Sequence, residues 1–391
     1  MPNVNLSNAK NAKNDEFYTQ YHDIEKEINS YLEYNPKVFN GKTVLLPCDD
    51  PEWSNFTKYF AQNFNNFGLK KLISTSYAVE SKKYKHGYQP TLFETDDPKF
   101  DKKKTRIHGK IFILERNKSD KRKIDVTDLK WHYMNGDGDF RSEEVKKLRD
   151  ESDIIITNPP FSLFREFLAW IVEANKQFLI IGNLNAITYK EVFPLIKKNE
   201  LWLGNNYKVN GGAMFYEIPE DIANVDQVRE IRTNEAGKKV FITRVQGVRW
   251  FTNIDHGRRH ESLPLMSMAD NIKFSKHKEI KGKKYTKYDN YDALEVPYVD
   301  SIPNDYDGVM GVPVSLLDKY SPEQFEIIGT ADSKDNLPDM NQLGAEFIKG
   351  YRKQGGTGHY SANMWGVSII QDGIYKIIYK RLFIKYKKES K

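Results

Sequence analysis

The 391-residue chain has a single cysteine, Cys48, which excludes an intramolecular disulfide and argues against a zinc ribbon or other cysteine-rich metal site. Cysteine usage this low fits a reducing compartment. No apolar run approaches the roughly 18 residues that a membrane-spanning helix needs. The stretch Met1–Lys13 also lacks the apolar core of a secretory signal. The expectation is a cytoplasmic chain without a membrane partner. Histidine is scarce, and the one chelating spacing, His256 and His260, encloses Gly257 and has no third ligand nearby. No metal is expected. Nor does one sign of charge dominate, since 60 Lys and Arg stand against 54 Asp and Glu for a net +6.

That small excess is unevenly placed. Lys82-Lys83, Lys102-Lys103-Lys104 and Lys121-Arg122-Lys123 crowd one stretch, and Tyr375–Lys391 is basic with aromatics interleaved. Arg258 and Arg259 fall in a loop where they suit phosphate contacts. Such patches fit a polyanion, although a solvated lysine face explains any single cluster almost as well. Aromatics are abundant, with 23 Tyr and 22 Phe, enough for a large core and some stacking surface.

Periodicity gives the order of elements. After a polar arm (residues 1–15), Ile24, Ile28 and Leu32 recur as in an amphipathic helix. Thr43–Leu46 reads as a strand leading into Pro47-Cys48-Asp49-Asp50-Pro51, and Trp53, Phe56, Tyr59 and Phe60 share a helix face. Residues 69–77 form a second strand. Residues 78–128 read as a basic insertion holding a hairpin of Lys110–Glu115 with Lys123–Val126. Then follow a short strand Lys130–Met134, a helix Glu143–Arg149, the apolar strand Ile154–Thr157, a helix Leu163–Ala174, the strand Phe178–Gly182 and a helix to Lys198. Ala213–Glu217 and Val248–Thr252 are expected to close the sheet as an antiparallel pair. This alternation predicts an α/β fold with a doubly wound, Rossmann-like sheet over residues 1–255. From 256 to 391 the pattern shifts to short strands, prolines and loops, which reads as a smaller mixed module.

Asn158-Pro159-Pro160-Phe161 is the most informative string. It ends a buried strand, where open α/β sheets bind ligands. The Asn158 amide oxygen and the Pro159 carbonyl can both accept from an exocyclic –NH2, drawing that nitrogen toward tetrahedral geometry and freeing its lone pair for attack. Pro160 biases Pro159 toward an extended shape and so fixes that carbonyl. Phe161 offers a face for a base. Asn-Pro also makes ordinary turns, but a string of this type arises by chance in roughly one such chain in a hundred. Asp137 and Asp139 in Gly136-Asp137-Gly138-Asp139-Phe140 are compatible with a plain turn; a calcium loop is disfavoured because Arg141 interrupts it.

Phe17 to Gln20, the loop after Leu46, Asp139-Phe140 and Asn158–Phe161 occur in the order found in amino-group DNA methyltransferases. PCDDPEWSNFTKYF (47–60), NPPF and GVMGVPVSLLDKYSPEQFEIIG (308–329) resemble the EcoRI-type adenine-specific DNA methyltransferases. The likeness runs from about residue 14 to 385. It implies S-adenosylmethionine as methyl donor, no metal, and adenine N6 in double-stranded DNA as acceptor. Phe17, Tyr18 and Thr19 would then pack along the cofactor's methionine end. The loop from Pro47 would bring Asp49 and Asp50 to its amino acid and ribose, with Ser54 and Phe56 bordering the pocket. Asp139 would accept from the cofactor's adenine N6, and Phe140 would stack on that ring. Asn158 and Pro159 would hold the target amine, with Phe161 on the target base. Apart from the resemblance, Lys82, Lys83, Lys102, Lys103 and Lys104 with Arg258 and Arg259 are the cations expected to meet phosphates, with a solvated face or plain loop the competing reading.

The loop after the first strand lacks the Gly-x-Gly common in methyltransferases. Ser74-Thr75-Ser76 stand where an acidic residue usually binds ribose. A single chain acting on one strand at a time suffices, so a monomer is expected; a restriction endonuclease acting on the same site without a stable complex is a candidate partner, with a phage-borne or orphan enzyme as the other readings. Two other readings are methylation of cytosine N4 or a protein glutamine, and a catalytically silent DNA-binding module of the same fold.

Overall fold

Four short runs of aliphatic and hydroxyl side chains build the centre of the larger sheet, because strands covered on both faces need no polar alternation. The computed structural model describes residues 18–49, 54–78, 97–116, 130–205, 213–218, 228–233, 239–331 and 336–387. Chain contacts divide it into two units, Met1–Val192 with Leu201–His256, and Phe193–Glu200 with Gly257–Lys391.

In the first unit the elements follow as β1 (Tyr18–Thr19), α1 (Tyr21–Tyr34), β2 (Thr43–Leu46), α2 (Asn55–Gln62), β3 (Lys71–Ser76), α3 (Lys102–Ile107), β4 (Lys110–Glu115) and β5 (Lys130–Tyr133). Then come α4 (Glu143–Glu151), β6 (Ile154–Thr157), α5 (Phe164–Glu173), β7 (Gln177–Asn183), β8 (Trp202–Leu203), β9 (Ala213–Ile218), β10 (Val228–Thr233), β11 (Lys239–Gln246) and β12 (Val248–Thr252).

A mixed eight-stranded sheet has the order β5-β4-β3-β2-β6-β7-β12-β8. Its core, β3-β2-β6-β7, is parallel. β4 runs against β3 and β5 against β4, so β5 again points with the core. The chain therefore leaves β2, β3, β5 and β6 at one edge of one sheet. On one face Ile24, Ile28 and Tyr31 of α1 and Phe56, Tyr59 and Phe60 of α2 pack with Val44, Leu46, Leu72, Ile154 and Ile156. Each such side chain contributes about 1.5–3 kcal/mol by leaving water. On the other, α5 lies close enough that a Cβ on Gly182 of β7 would stand 2.3 Å from the Phe164 ring. A separate antiparallel sheet has the order β1-β9-β11-β10.

Two expectations are corrected. Lys110–Glu115 is no hairpin arm inside an insertion: it pairs with β3 along its whole length and with β5 at Ile113↔Lys130. Its inward face, with Phe112 and Leu114 buried, needs the sheet's core rather than a two-stranded excursion. Lys123–Val126 lies outside the described residues. Ala213–Glu217 does not join the large sheet but pairs with β1 and β11, and it is β8 that lies beyond β12.

The second unit holds α6 (Met268–Phe274), β13 (Leu294–Glu295), β14 (Met310–Pro313), β15 (Phe325–Thr330), α7 (Ala345–Lys353), β16 (Val367–Gln371), β17 (Ile374–Ile378) and β18 (Arg381–Tyr386). One sheet has the order β13-β14-β18-β15, and β16 and β17 form a hairpin. Tyr288, Leu337, Ile369 and Phe383 share a core. The buried Glu295 is forked by Arg381, with Nη2 at 2.6 Å, and also accepts from the Tyr288 hydroxyl.

Candidate active site

The loop after β2 does without glycine at a conformational cost. Cys48 sits at φ 73°, in the left-handed region where glycine is at ease. The bend turns the next side chain, Asp49, into the protein. Its Oδ1 accepts from Ser54 Oγ at 2.7 Å and its Oδ2 from Thr157 Oγ1 at 2.5 Å. Thr157 Oγ1 also lies 2.6 Å from the Pro47 carbonyl. The Asp49 carbonyl accepts from Thr57 Oγ1 at 3.3 Å and from Ser74 Oγ. Ser54 caps α2 by accepting from Phe56 N at 3.1 Å. All of these side chains are buried, where an unmade hydrogen bond costs most. The network joins β2, α2, β3 and β6 immediately before Asn158.

Beyond Thr157 the turn is stiff. Pro159 is buried, while Asn158, Pro160 and Phe161 are half-buried. Pro160, at φ −54° and ψ 123°, opens the 3-10 turn Phe161–Leu163, and its carbonyl accepts from Leu163 N at 2.9 Å. Phe161 packs one side on the α1–α2 core. At the start of the first unit, Thr19 is buried, and its carbonyl accepts from Asn55 Nδ2 of α2 at 2.8 Å. Thr19 Oγ1 has no hydrogen-bond partner among the described residues, a donor and acceptor left beside the entry to α2.

Asp139 reaches the same edge through a crossing that only glycine permits. A Cβ on Gly138, at φ +87°, would stand 2.3 Å from the Ser76 carbonyl oxygen, and one on Gly109 would stand 2.8 Å from the Gly138 Cα. Gly109 N donates to Gly136 O at 2.9 Å and Ala78 N to Asp137 O at 2.7 Å. Asp139 Oδ1 then accepts from the Arg141 backbone N–H and Nε, both at 2.8 Å. Its Oδ2 accepts from Arg141 Nη2 at 2.5 Å and Tyr77 Oη at 3.0 Å. Partial burial raises the Asp139 pKa, but these bonds, led by Arg141, outweigh it and leave the carboxyl below its ordinary range. Burial, together with the Asp139 charge, pushes the Tyr77 phenol well up. Phe140 is buried, edge-on to Phe167 at 5.0 Å and Trp170 at 5.6 Å, with the Arg141 guanidinium 5.5 Å from its ring centre.

Residues 5–387 match the family model described as "Adenine-specific methyltransferase EcoRI". The chain belongs to this family. Across 323 residues it is 43% identical to the Type II methyltransferase M.EcoRI of Escherichia coli, covering 83% of this chain and 88% of that relative. Over the same length it is 33% identical to M.MgeORF184P of Mycoplasma genitalium and 31% identical to M.MpnI of Mycoplasma pneumoniae, covering 85% and 84% of those chains. No solved structure matches it.

Within this member of the EcoRI-type family, Thr19, Pro47, Asp49 and Ser54 come together with Thr157 and the Asn158–Phe161 turn, while Asp139 and Phe140 stand after β5 at the same sheet edge. Tyr18 is placed by its backbone pairing with Glu217. Phe17, Asp50, Lys82 and Lys83 lie outside the described residues. Phe56 is buried, its ring 5.9 Å from that of Trp250. Lys102, Lys103 and Lys104 are exposed on α3, which Tyr133 anchors by a 2.7 Å contact to Thr105 Oγ1. Arg258 is half-buried. Arg259 is corrected: its guanidinium is buried and bonds Asn199 Oδ1 at 2.5 Å, so it braces the second unit rather than meeting phosphate. Sequence reasoning missed Thr157, Tyr77, Arg141 and the exposed Arg106. Only Arg106 carried a signal, as the fourth cation beside the lysine run. Among the described residues no three His, Cys, Asp or Glu side chains gather as metal ligands would, and no helix is long and apolar enough to cross a membrane.

Proposed function

We propose that this chain transfers a methyl group from S-adenosylmethionine to the N6 amine of an adenine flipped out of double-stranded DNA. The observation that carries the reading is the Asn158-Pro159-Pro160-Phe161 turn, set at the end of parallel strand β6 and braced by Thr157 and Asp49. When bound, the cofactor supplies a methyl on a sulfonium, an electrophile that needs no metal to activate it. Asn158 Oδ1 and the Pro159 carbonyl accept from the target amine and aim its lone pair. Pro160 keeps that carbonyl in place, and Phe161 stacks on the base. The amine becomes acidic only once methylated, so no strong base is required, and catalysis rests on positioning and on water exclusion. Thr19, whose buried hydroxyl has no hydrogen-bond partner among the described residues, suits the cofactor's methionine end.

The sheet with helices on both faces fits a Rossmann-like methyltransferase domain over residues 1–255. The C-terminal module, residues 256 to 391, would read the target sequence. The cations of α3, at the same sheet edge as the turn, favour a polyanionic substrate over a protein glutamine. A monomer in the cytoplasm, protecting sites from a restriction endonuclease it does not bind, completes the reading. The test is to express the chain in a host without DNA methylation and map modified bases in its genome. N6-methyladenine at one short motif is expected. N4-methylcytosine would overturn the choice of base, and unmodified DNA the whole reading.

A further inference from the structure

Asp139 is saturated. A carboxylate offers about four acceptor positions, and all four are taken, by the Arg141 backbone N–H, Arg141 Nε, Arg141 Nη2 and Tyr77 Oη. Nothing remains for the amine of a cofactor's adenine. The same guanidinium lies over the Phe140 ring, which packs at steep angles against Phe167 and Trp170. A guanidinium is flat, rich in N–H donors and able to stack on an aromatic face. It thus makes both contacts that an adenine ring would make here, donation to Asp139 and cover for Phe140.

We propose that Arg141 is a built-in stand-in for the cofactor's adenine and sets cofactor affinity, passing to Glu166 when the adenine takes its place. This rests on the cofactor reading given above. Arg141 is free to leave, its side chain being 48% exposed. A second carboxylate waits, since Arg141 Nη1 is already 3.5 Å from Glu166 Oε1 on α5, and Glu166 is itself 51% exposed. The exchange opens two acceptor positions on Asp139, while the Arg141 backbone N–H and Tyr77 Oη continue to hold the carboxylate in place.

Calorimetry on the full chain tests this, with S-adenosylmethionine and S-adenosylhomocysteine as ligands and an S-inosyl analogue, which bears oxygen where adenine has its amine. R141A should bind the adenine ligands about fivefold tighter, the weight of a well-formed exposed ion pair that no longer has to be broken. The S-inosyl analogue should gain much less. R141K, which keeps the charge but cannot fork, should fall between, and it carries the test if R141A folds poorly. E166Q should weaken adenine binding about twofold in the wild-type chain and have no effect in R141A. Unchanged or weaker binding by R141A, or an equal gain for the S-inosyl ligand, overturns the proposal. A wild-type chain that binds no S-adenosylmethionine would instead overturn the cofactor reading itself.

Discussion

Asn158 and Thr157 are neighbours with different duties, and substitution separates them. On the function proposed above, Asn158→Ala removes one of two acceptors for the amine. Loss of a hydrogen bond made chiefly in the transition state costs roughly 2.7–4 kcal/mol, so single-turnover methylation should fall about a hundred- to a thousandfold. Cofactor affinity measured alongside should stay nearly constant. Thr157→Val keeps the shape but strips the donor from two buried acceptors, the Pro47 carbonyl and Asp49 Oδ2. Denaturant unfolding should show a loss of about 1–3 kcal/mol. Turnover should also drop, by roughly tenfold or more, because a small misplacement of the turn is expensive. The Asn158 turn was legible in the sequence because two prolines dictate backbone shape without help from the rest of the fold. The occupancy of Asp49 and Asp139 was not. Each partner is an ordinary Ser, Thr, Tyr or Arg, and which carboxylate it meets depends on how far apart two loops end.

At the scale of elements, the parallel core was readable from its aliphatic runs, and α1 from its 3.6-residue spacing. β4 was not, because a short apolar run such as Ile111–Leu114 suits a hairpin arm and a sheet strand equally; only the partner differs. Arg259 misled for a similar reason: nothing local distinguishes an arginine that meets phosphate from one that is buried on Asn199. The bend after β2 is the element most open to test. A left-handed conformation costs a residue with a side chain roughly 1–2 kcal/mol, and glycine gives back about 0.5–1 kcal/mol in chain entropy. Cys48→Gly should therefore stabilise the fold by up to about 1 kcal/mol in denaturant titration, whereas Cys48→Val, β-branched at φ 73°, should destabilise it.

For the whole molecule, the modest net charge of +6 hides a directed one. α3 exposes Lys102, Lys103, Lys104 and Arg106 at the edge that carries the Asn158 turn. If these cations line a duplex, replacing the three lysines by Gln should weaken specific and random DNA about equally. The slope of log affinity against log salt should fall by about 0.9 for each phosphate no longer neutralised, with cofactor affinity unaltered. An unchanged slope would assign phosphate binding to the second unit.

That second unit is not a tail that can be cut away. Its segment Phe193–Glu200 is inserted between β7 and β8 of the first, so the chain passes from one unit to the other three times. Phe193 and Ile196 of that segment are buried. A fragment ending at His256 would carry this segment without the rest of its unit and should fold poorly. Exchange of whole modules between relatives would break three junctions at once, which leaves substitution within loops as the simpler route to a new target sequence.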